Sequence, residues 1–386
     1  MAALETISRV LKGHFGIVHV AIGQIGAVVL GAVFWFILAG LLEPGDYGQV
    51  NWLISIATLA SMYCVLGWGK TVVTYYPKEG KGELLGGAVT IVLVASLVVG
   101  GVFGLLLEPS AGLLIIGLSL FTMMVSFELG KHRYERYMWT WIGVRLISLP
   151  LSIALYFWQG LFGVLLGYAI PYLIFGLPSL KYMRGGNPGI KEAVGKVGFA
   201  MKVFGADITA GSTRLLDKIL IGGVFGMVTL GLYQLAYQIF AAMSVLPSIL
   251  FSYLLPEKSS GAKTKEVEVL GILASTVLAI LVIVLSPYVI PRAFPNFAGS
   301  VELIQIMSLG VIPSTIAMAK MSELYALERP GSVLLSYLAA LITGVVGIST
   351  LGMWLGAIGL AMSVVLLHSV LAVTLFLLGK KMGSPL

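Results

Sequence analysis

Twelve apolar runs fill almost the whole of this 386-residue chain, near 16–42, 47–68, 84–107, 111–129, 137–157, 159–179, 197–225, 229–255, 266–288, 300–326, 331–350 and 355–379. A helix needs about 20 apolar residues to cross the hydrocarbon core of a bilayer, and each run approaches or exceeds that length. Only 11% of the residues are charged, against about 25% in an ordinary soluble domain. A fold this poor in charge cannot cover itself for water. The expectation is an all-α polytopic membrane protein with about 12 transmembrane helices. Short turns separate the runs, EPGD at Glu43–Asp46, EPS at Glu108–Ser110, RGGNPG at Arg184–Gly189 and ERPG at Glu328–Gly331. The single cysteine, Cys64, lies inside a run, so no disulfide framework is expected. The first run is too long for a cleaved leader.

The net charge of +7 would suit nucleic acid if it were clustered on a soluble face. Of the 24 Lys and Arg, 18 fall on one side of the spans: in the two tails and in the loops after even-numbered spans. The opposite loops hold Arg292 alone. Basic loops stay cytoplasmic, so both termini are expected in the cytoplasm of a multi-pass protein of the cell membrane, with membrane lipid rather than nucleic acid as partner.

The chain writes one turn twice. WQGLFG (158–163) joins spans 5 and 6, and WLGAIG (354–359) joins spans 11 and 12, 196 positions later. Other echoes run in the same order. Glu128-Leu129 and Glu323-Leu324 close spans 4 and 10 at an offset of 195, and Gly48 and Gly231 open spans 2 and 8 at an offset of 183. The pattern predicts a duplicated six-span unit, with lobes at 1–190 and 191–386. Six is even, so the copies are parallel, as in transporters that bind substrate between their halves. The segment after Asn187-Pro188 is expected to begin an interfacial helix linking them.

Span 7 carries charge where lipid would penalise it: Lys202, Asp207, Arg214, Asp217 and Lys218. Each costs about 2.5–3.5 kcal/mol at the centre of a lipid-exposed helix. At 100° per residue, Asp207, Arg214, Asp217 and Lys218 share one sector, a stripe expected to face a bundle interior or a watery cavity. Arg214 and Asp217 stand at i, i+3 and can neutralise each other. Adding Arg145 and Lys320, and leaving aside the glutamates near span ends, the spans hold five basic residues against Asp207 and Asp217, a surplus of three. Arg145 precedes Pro150, and Lys320 follows Pro313, in helices that proline kinks. A surplus-positive cavity suits an anion, so Arg145, Arg214, Lys218 and Lys320 are its expected ligands and Asp207 and Asp217 its carboxylates. Lys202 can snorkel to the surface. His19 and His368, also within spans, are candidates for a proton relay or for interhelical hydrogen bonds. GWGKT (67–71) lacks the earlier glycine of a nucleotide loop, Cys64 standing there. No cofactor or metal is called for.

Several stretches resemble a known family. LLEPGDYGQVNWLISIATLASMYCVLGWGKTVVTYYP is similar to the first helix pair of the polysaccharide transporters, the O-antigen-type flippases. LLDKILIGGVFGMVTLGLYQLAYQI, IPRAFPNFAGSVELIQIMSLG and GAIGLAMSVVLL look like later parts of the same family, which shares a superfamily with multidrug and toxic compound extrusion (MATE) carriers and the lipid II flippase. The resemblance implies a V-shaped, two-lobed, MATE-like bundle. It also implies a flippase moving lipid-diphosphate-linked oligosaccharide outward by alternating access. No covalent chemistry follows, and the protein is not expected to be an enzyme. On this reading Trp52, Tyr233 and Tyr237 are candidates to contact sugar faces, with H+ or Na+ as candidate coupling ions. The rivals are a cation-coupled drug exporter, which wants an acidic pocket, and a membrane glycosyltransferase or polymerase, which wants carboxylates in larger loops.

Overall fold

The computed structural model describes residues 2–79, 82–183 and 189–381, without the side chains of 2–15, 17, 79, 82, 206, 210, 213, 214, 380 and 381. The described residues are nearly all helical. The elements are α1 (Ala2–Leu41), α2 (Pro44–Val65), α3 (Trp68–Glu79), α4 (Gly82–Leu106), α5 (Pro109–Gly130), α6 (Tyr134–Gly176), α7 (Ile190–Val194), α8 (Val197–Phe225), α9 (Met227–Met243), α10 (Val245–Ser259), α11 (Lys265–Ala293), α12 (Val301–Leu309), α13 (Val311–Ala326), α14 (Pro330–Leu355) and α15 (Ala357–Lys381). Proline opens α2, α5 and α14, where its missing N–H costs nothing. The turn motifs therefore mark helix starts as well as stops. α7 is a short helix after Gly189, while Asn187-Pro188 lies outside the described residues.

Nine helical segments among the described residues are long and apolar enough to span a membrane, or ten with the bent pair α2 and α3, which meet at 41°. The difference from twelve has two physical causes. α6 counts as one segment, yet its 43 residues turn back at Gly160, so it supplies two spans. α8 is excluded by its charges, although its 29 residues coincide with span 7. The outward faces are apolar: Leu273, Val277, Ile280, Leu281 and Val284 of α11 are all half-exposed or more, as a lipid-facing helix requires.

The duplication is present in the backbone. Gly160 (φ 62, ψ −140) and Gly356 (φ 59, ψ −138) adopt the same conformation. Gly163 faces the Leu155 carbonyl in the first hairpin, and Gly359 faces the Leu351 carbonyl in the second. At the helix ends before each hairpin, His132 (φ 54) and Glu328 (φ 57) take left-handed conformations. Arg133 N–H donates to the Glu128 carbonyl and Arg329 N–H to the Leu324 carbonyl, both at 2.8 Å. All these pairs stand 196 apart. The structural register therefore sets Glu128 opposite Leu324, correcting the 195-residue pairing of Glu128 with Glu323. The earlier offset of 183 also has a structural counterpart. A side chain on Gly48 would strike the Met227 carbonyl, and one on Gly231 would strike the Pro44 carbonyl, a reciprocal contact between α2 and α9.

By internal contacts the chain forms two compact units, residues 1–35 with 52–216, and 36–51 with 217–386. In the first, Val72, Leu84, Leu85, Val89, Met123 and Phe127 form a buried core joining α3, α4 and α5. In the second, Ala317, Met321, Leu324, Val333, Leu371 and Leu375 join α13, α14 and α15.

Candidate functional site

In the first unit, the α6 hairpin holds the intramembrane cation Arg145. The Gly160 turn folds the two arms together nearly residue for residue, Gly143 meeting Phe175 and Gly163 meeting Leu155. That register sets Arg145 level with residue 173, and its guanidinium reaches both Tyr168 and Tyr172. Arg145 Nη1 donates to the Tyr168 hydroxyl at 2.7 Å. Its guanidinium carbon lies 5.6 and 5.9 Å from the Tyr168 and Tyr172 ring centroids, within cation–π range. α1 makes room at Gly31, where a Cβ would come within 3.8 Å of the guanidinium carbon. No carboxylate pairs with Arg145 among the described residues, and its buried Nε has no hydrogen-bond partner. A guanidinium keeps five donors and cannot discharge, so an unmatched donor here leaves capacity for an anion.

Asp207 lies in the same unit and pairs with Lys70 of α3. Lys70 belongs to the GWGKT stretch, which bends the α2–α3 segment through left-handed Leu66 and Gly67. That lysine was not a sequence candidate. Its partner lies 137 positions away, beyond the reach of any local pattern.

The second unit treats charge differently. Asp217 accepts from the Tyr233 hydroxyl at 2.9 Å and from Lys218 Nζ at 3.3 Å. Lys218 is 7% exposed and lies 4.3 Å over the Tyr237 ring, which stacks on Tyr233. This is a compact, largely neutralised cluster. Tyr233 is buried with its hydroxyl committed to Asp217. The expected Arg214–Asp217 pair involves a side chain outside those described, so Arg214 is placed by backbone alone. Lys320 makes two bonds to Glu323, at 2.8 and 2.9 Å. His368 bonds the Val364 carbonyl in its own helix at 2.8 Å and sets its ring edge-on to Phe240, a local rather than interhelical hydrogen bond. In the first unit, His19 lines a surface cavity of about 460 Å³ with His132, Arg133, Tyr134 and Arg136. Trp52 is half-buried in α2.

Among the described residues, then, Lys218 and Lys320 hold carboxylates and Arg145 holds none. The sequence surplus of three missed the two partners Lys70 and Glu323, because one is remote and the other lies near a span end. No group of three or more His, Cys, Asp or Glu among the described residues can hold a metal ion.

A helical fold with apolar outer faces and charge buried at depth defines an integral, multi-pass membrane protein. The model of the polysaccharide biosynthesis protein family matches residues 15–261, and the chain belongs to that family. No curated protein matches. Among solved structures, the chain is similar to the lipid II flippase MurJ in an inward closed conformation (TM-score 0.75, 12% identity, 94% of this chain and 87% of that one). It is also similar to an inward-facing multidrug resistance MATE family transporter of the MOP superfamily (TM-score 0.61, 13%, 96% and 100%). A third likeness is to a MOP superfamily transporter from Pyrococcus furiosus, described as having a binding pocket of reverse polarity (TM-score 0.53, 12%, 95% and 95%). These likenesses show the fold.

Proposed function

We propose that this protein flips a lipid-linked saccharide from the cytoplasmic to the outer leaflet by alternating access between six-helix lobes at 1–190 and 191–386. The observation that carries the reading is Arg145, an intramembrane guanidinium with no carboxylate partner among the described residues and a buried donor left over, in a chain of the polysaccharide biosynthesis family. Moving a phosphate past hydrocarbon requires cations that replace its water. Arg145 is the first of these, and bidentate geometry suits it to phosphate. Arg214 is the second by position. Lys218 and Lys320 join when the anion competes with Asp217 and Glu323, and Asp207 returns Lys70 in the same manner. Tyr237 and Trp52 offer ring faces to the sugar, and Tyr233 acts through Asp217. No covalent step is required. The protein sits in the cell membrane with both termini cytoplasmic, so a tag at Gly160 or Gly356 is expected outside and one at Gly261 inside.

The energy source on this reading is the membrane potential, a proton or a sodium ion. Outward movement of one negative charge gains about 2.3 kcal/mol per 100 mV. His19 and His368 are the proton candidates. The second reading, a cation-coupled multidrug exporter, draws on the MATE-like fold and on the Asp217 cluster. The deciding experiment measures lipid-linked oligosaccharide facing each leaflet in cells with and without the protein, beside efflux of a lipophilic cation. Accumulation of inward-facing oligosaccharide on depletion is expected. Dye efflux without that accumulation would reject the flippase reading in favour of the exporter.

A further inference from the structure

The first unit contains a second charged site, remote in sequence from the α8 stripe and used by no step above. Glu128, in the last turn of α5, is fully buried, and neither carboxylate oxygen has a hydrogen-bond partner among the described residues. Burial of an ionised carboxylate without donors is costly, and the negative end of its own helix adds to that cost. The nearby Lys131 attracts it only from a distance and donates no hydrogen bond to it, its ammonium lying 3.9 Å over the Tyr182 ring. Glu128 lines a cavity of about 340 Å³ whose other walls include Trp139, Thr140, Phe175, the carboxylate-bearing Glu135 and the basic Arg136 and Lys181.

The repeat shows that the fold does not need this carboxylate. The matching position in the second unit is Leu324, equally buried, held by the same 2.8 Å backbone bond. Arg136 corresponds to Ser332 in the same register. The first unit has thus placed a carboxylate and a guanidinium where its copy packs leucine and serine.

We propose that this cavity binds the headgroup of an aminophospholipid, its primary ammonium on Glu128 and its phosphate on Arg136 and Lys181. An ammonium brings the three donors that the orphan carboxylate lacks, and the Trp139 and Phe175 faces favour a cation. Arg136 suits a phosphate. Glu128 and Trp139 stand at the ends of their spans, and Trp139 is 55% exposed, as befits a ring at headgroup depth. A lipid in the adjoining leaflet therefore reaches the cavity sideways.

The test is native mass spectrometry of the full-length protein taken from phosphatidylcholine nanodiscs containing an equal fraction of dioleoyl-phosphatidylethanolamine or its mono- or dimethylated form. Retention of the ethanolamine lipid over phosphatidylcholine by about tenfold or more is expected, the effect of a charge-assisted hydrogen bond, and should fall stepwise with methylation. Glu128→Gln should abolish the preference. Glu128→Leu, the residue the repeat already tolerates, serves if the glutamine variant does not fold. Equal retention of all these lipids by the unmodified protein overturns the proposal, as does a preference that survives both substitutions. If Glu128→Gln raises thermal stability equally in every lipid, the side chain needs only neutralisation, and the headgroup site is rejected. Protection by soluble O-phosphoethanolamine equal to that of the lipid would overturn the lipid assignment.

Discussion

The two helical hairpins, α6 and α14–α15, share a turn conformation and a facing register, yet only one carries an intramembrane guanidinium. In the 196-residue register Arg145 corresponds to Leu341, Tyr168 to Val364 and Tyr172 to His368. The partner helices show the converse. In the 183-residue register that relates Pro44 to Met227, Gly31 of α1 corresponds to Arg214 of α8, and Phe34 to Asp217. The first copy sets its cation on the hairpin and leaves the crossing helix small and apolar. The second copy sets charge on the crossing helix and leaves the hairpin apolar. Backbone geometry and charge placement are therefore separable in this fold. Among the described residues Arg145 of the first unit is unmatched by carboxylate, and Lys218 of the second is matched at once by its neighbour.

That contrast predicts different consequences of disarming each side. The largest effect on folding is expected from Asp217→Ala, which leaves nearly buried Lys218 without its carboxylate. A loss of about 3–5 kcal/mol should appear in denaturant unfolding in micelles. Arg145→Leu should instead unfold like the unmodified protein, since the second hairpin already uses leucine there. It should lose flipping by about 10–100-fold, as for a hydrogen bond to a charged group, read as inward-facing lipid-linked oligosaccharide. If Arg145→Leu destabilises as much as Asp217→Ala, the distinction between a matched and an unmatched cation is broken. A third test bears on the reciprocal contact. Gly231→Ala or Gly48→Ala drives a methyl into a backbone carbonyl and should cost about 1–3 kcal/mol. Gly45→Ala, whose methyl meets only Val228 at 3.5 Å, should be neutral in the same assay. The smallest effect is expected at Glu323→Gln. An i, i+3 pair at a part-exposed helix face contributes about 0.2–0.5 kcal/mol, so a thermal midpoint moved by less than a degree or two sharpens the assignment of Lys320 as locally paired.

Periodicity and length carried the spans, because lipid imposes one rule on every helix. They even set the bounds of α8, whose charges would disqualify it by hydropathy alone. The site was legible where its partners are local. Counting outward along both arms from the Gly160 turn sets Arg145 level with residue 175, within one helical turn of Tyr172. It was illegible where contacts are remote. Helical phase put Asp207 and Asp217 on one stripe, but Asp207 bonds a lysine 137 residues away and Asp217 a tyrosine on α9. The one-residue error in matching Glu128 to Glu323 has a similar origin. Identical letters suggested 195, whereas the left-handed residues His132 and Glu328 fix 196. Glu128 closes a span in sequence, and only its burial distinguishes it from a residue facing water.

The glycines at 160 and 356 have open space around them, with no atom near enough to touch an added methyl. Their requirement is therefore one of chirality rather than room. Reflected through a mirror, φ 62 and ψ −140 become the ordinary extended backbone of an L residue. A D-alanine introduced at either turn by chemical ligation would sit there without strain, whereas L-alanine would not. The two hairpins thus depend on the only amino acid in the genetic alphabet that has no hand.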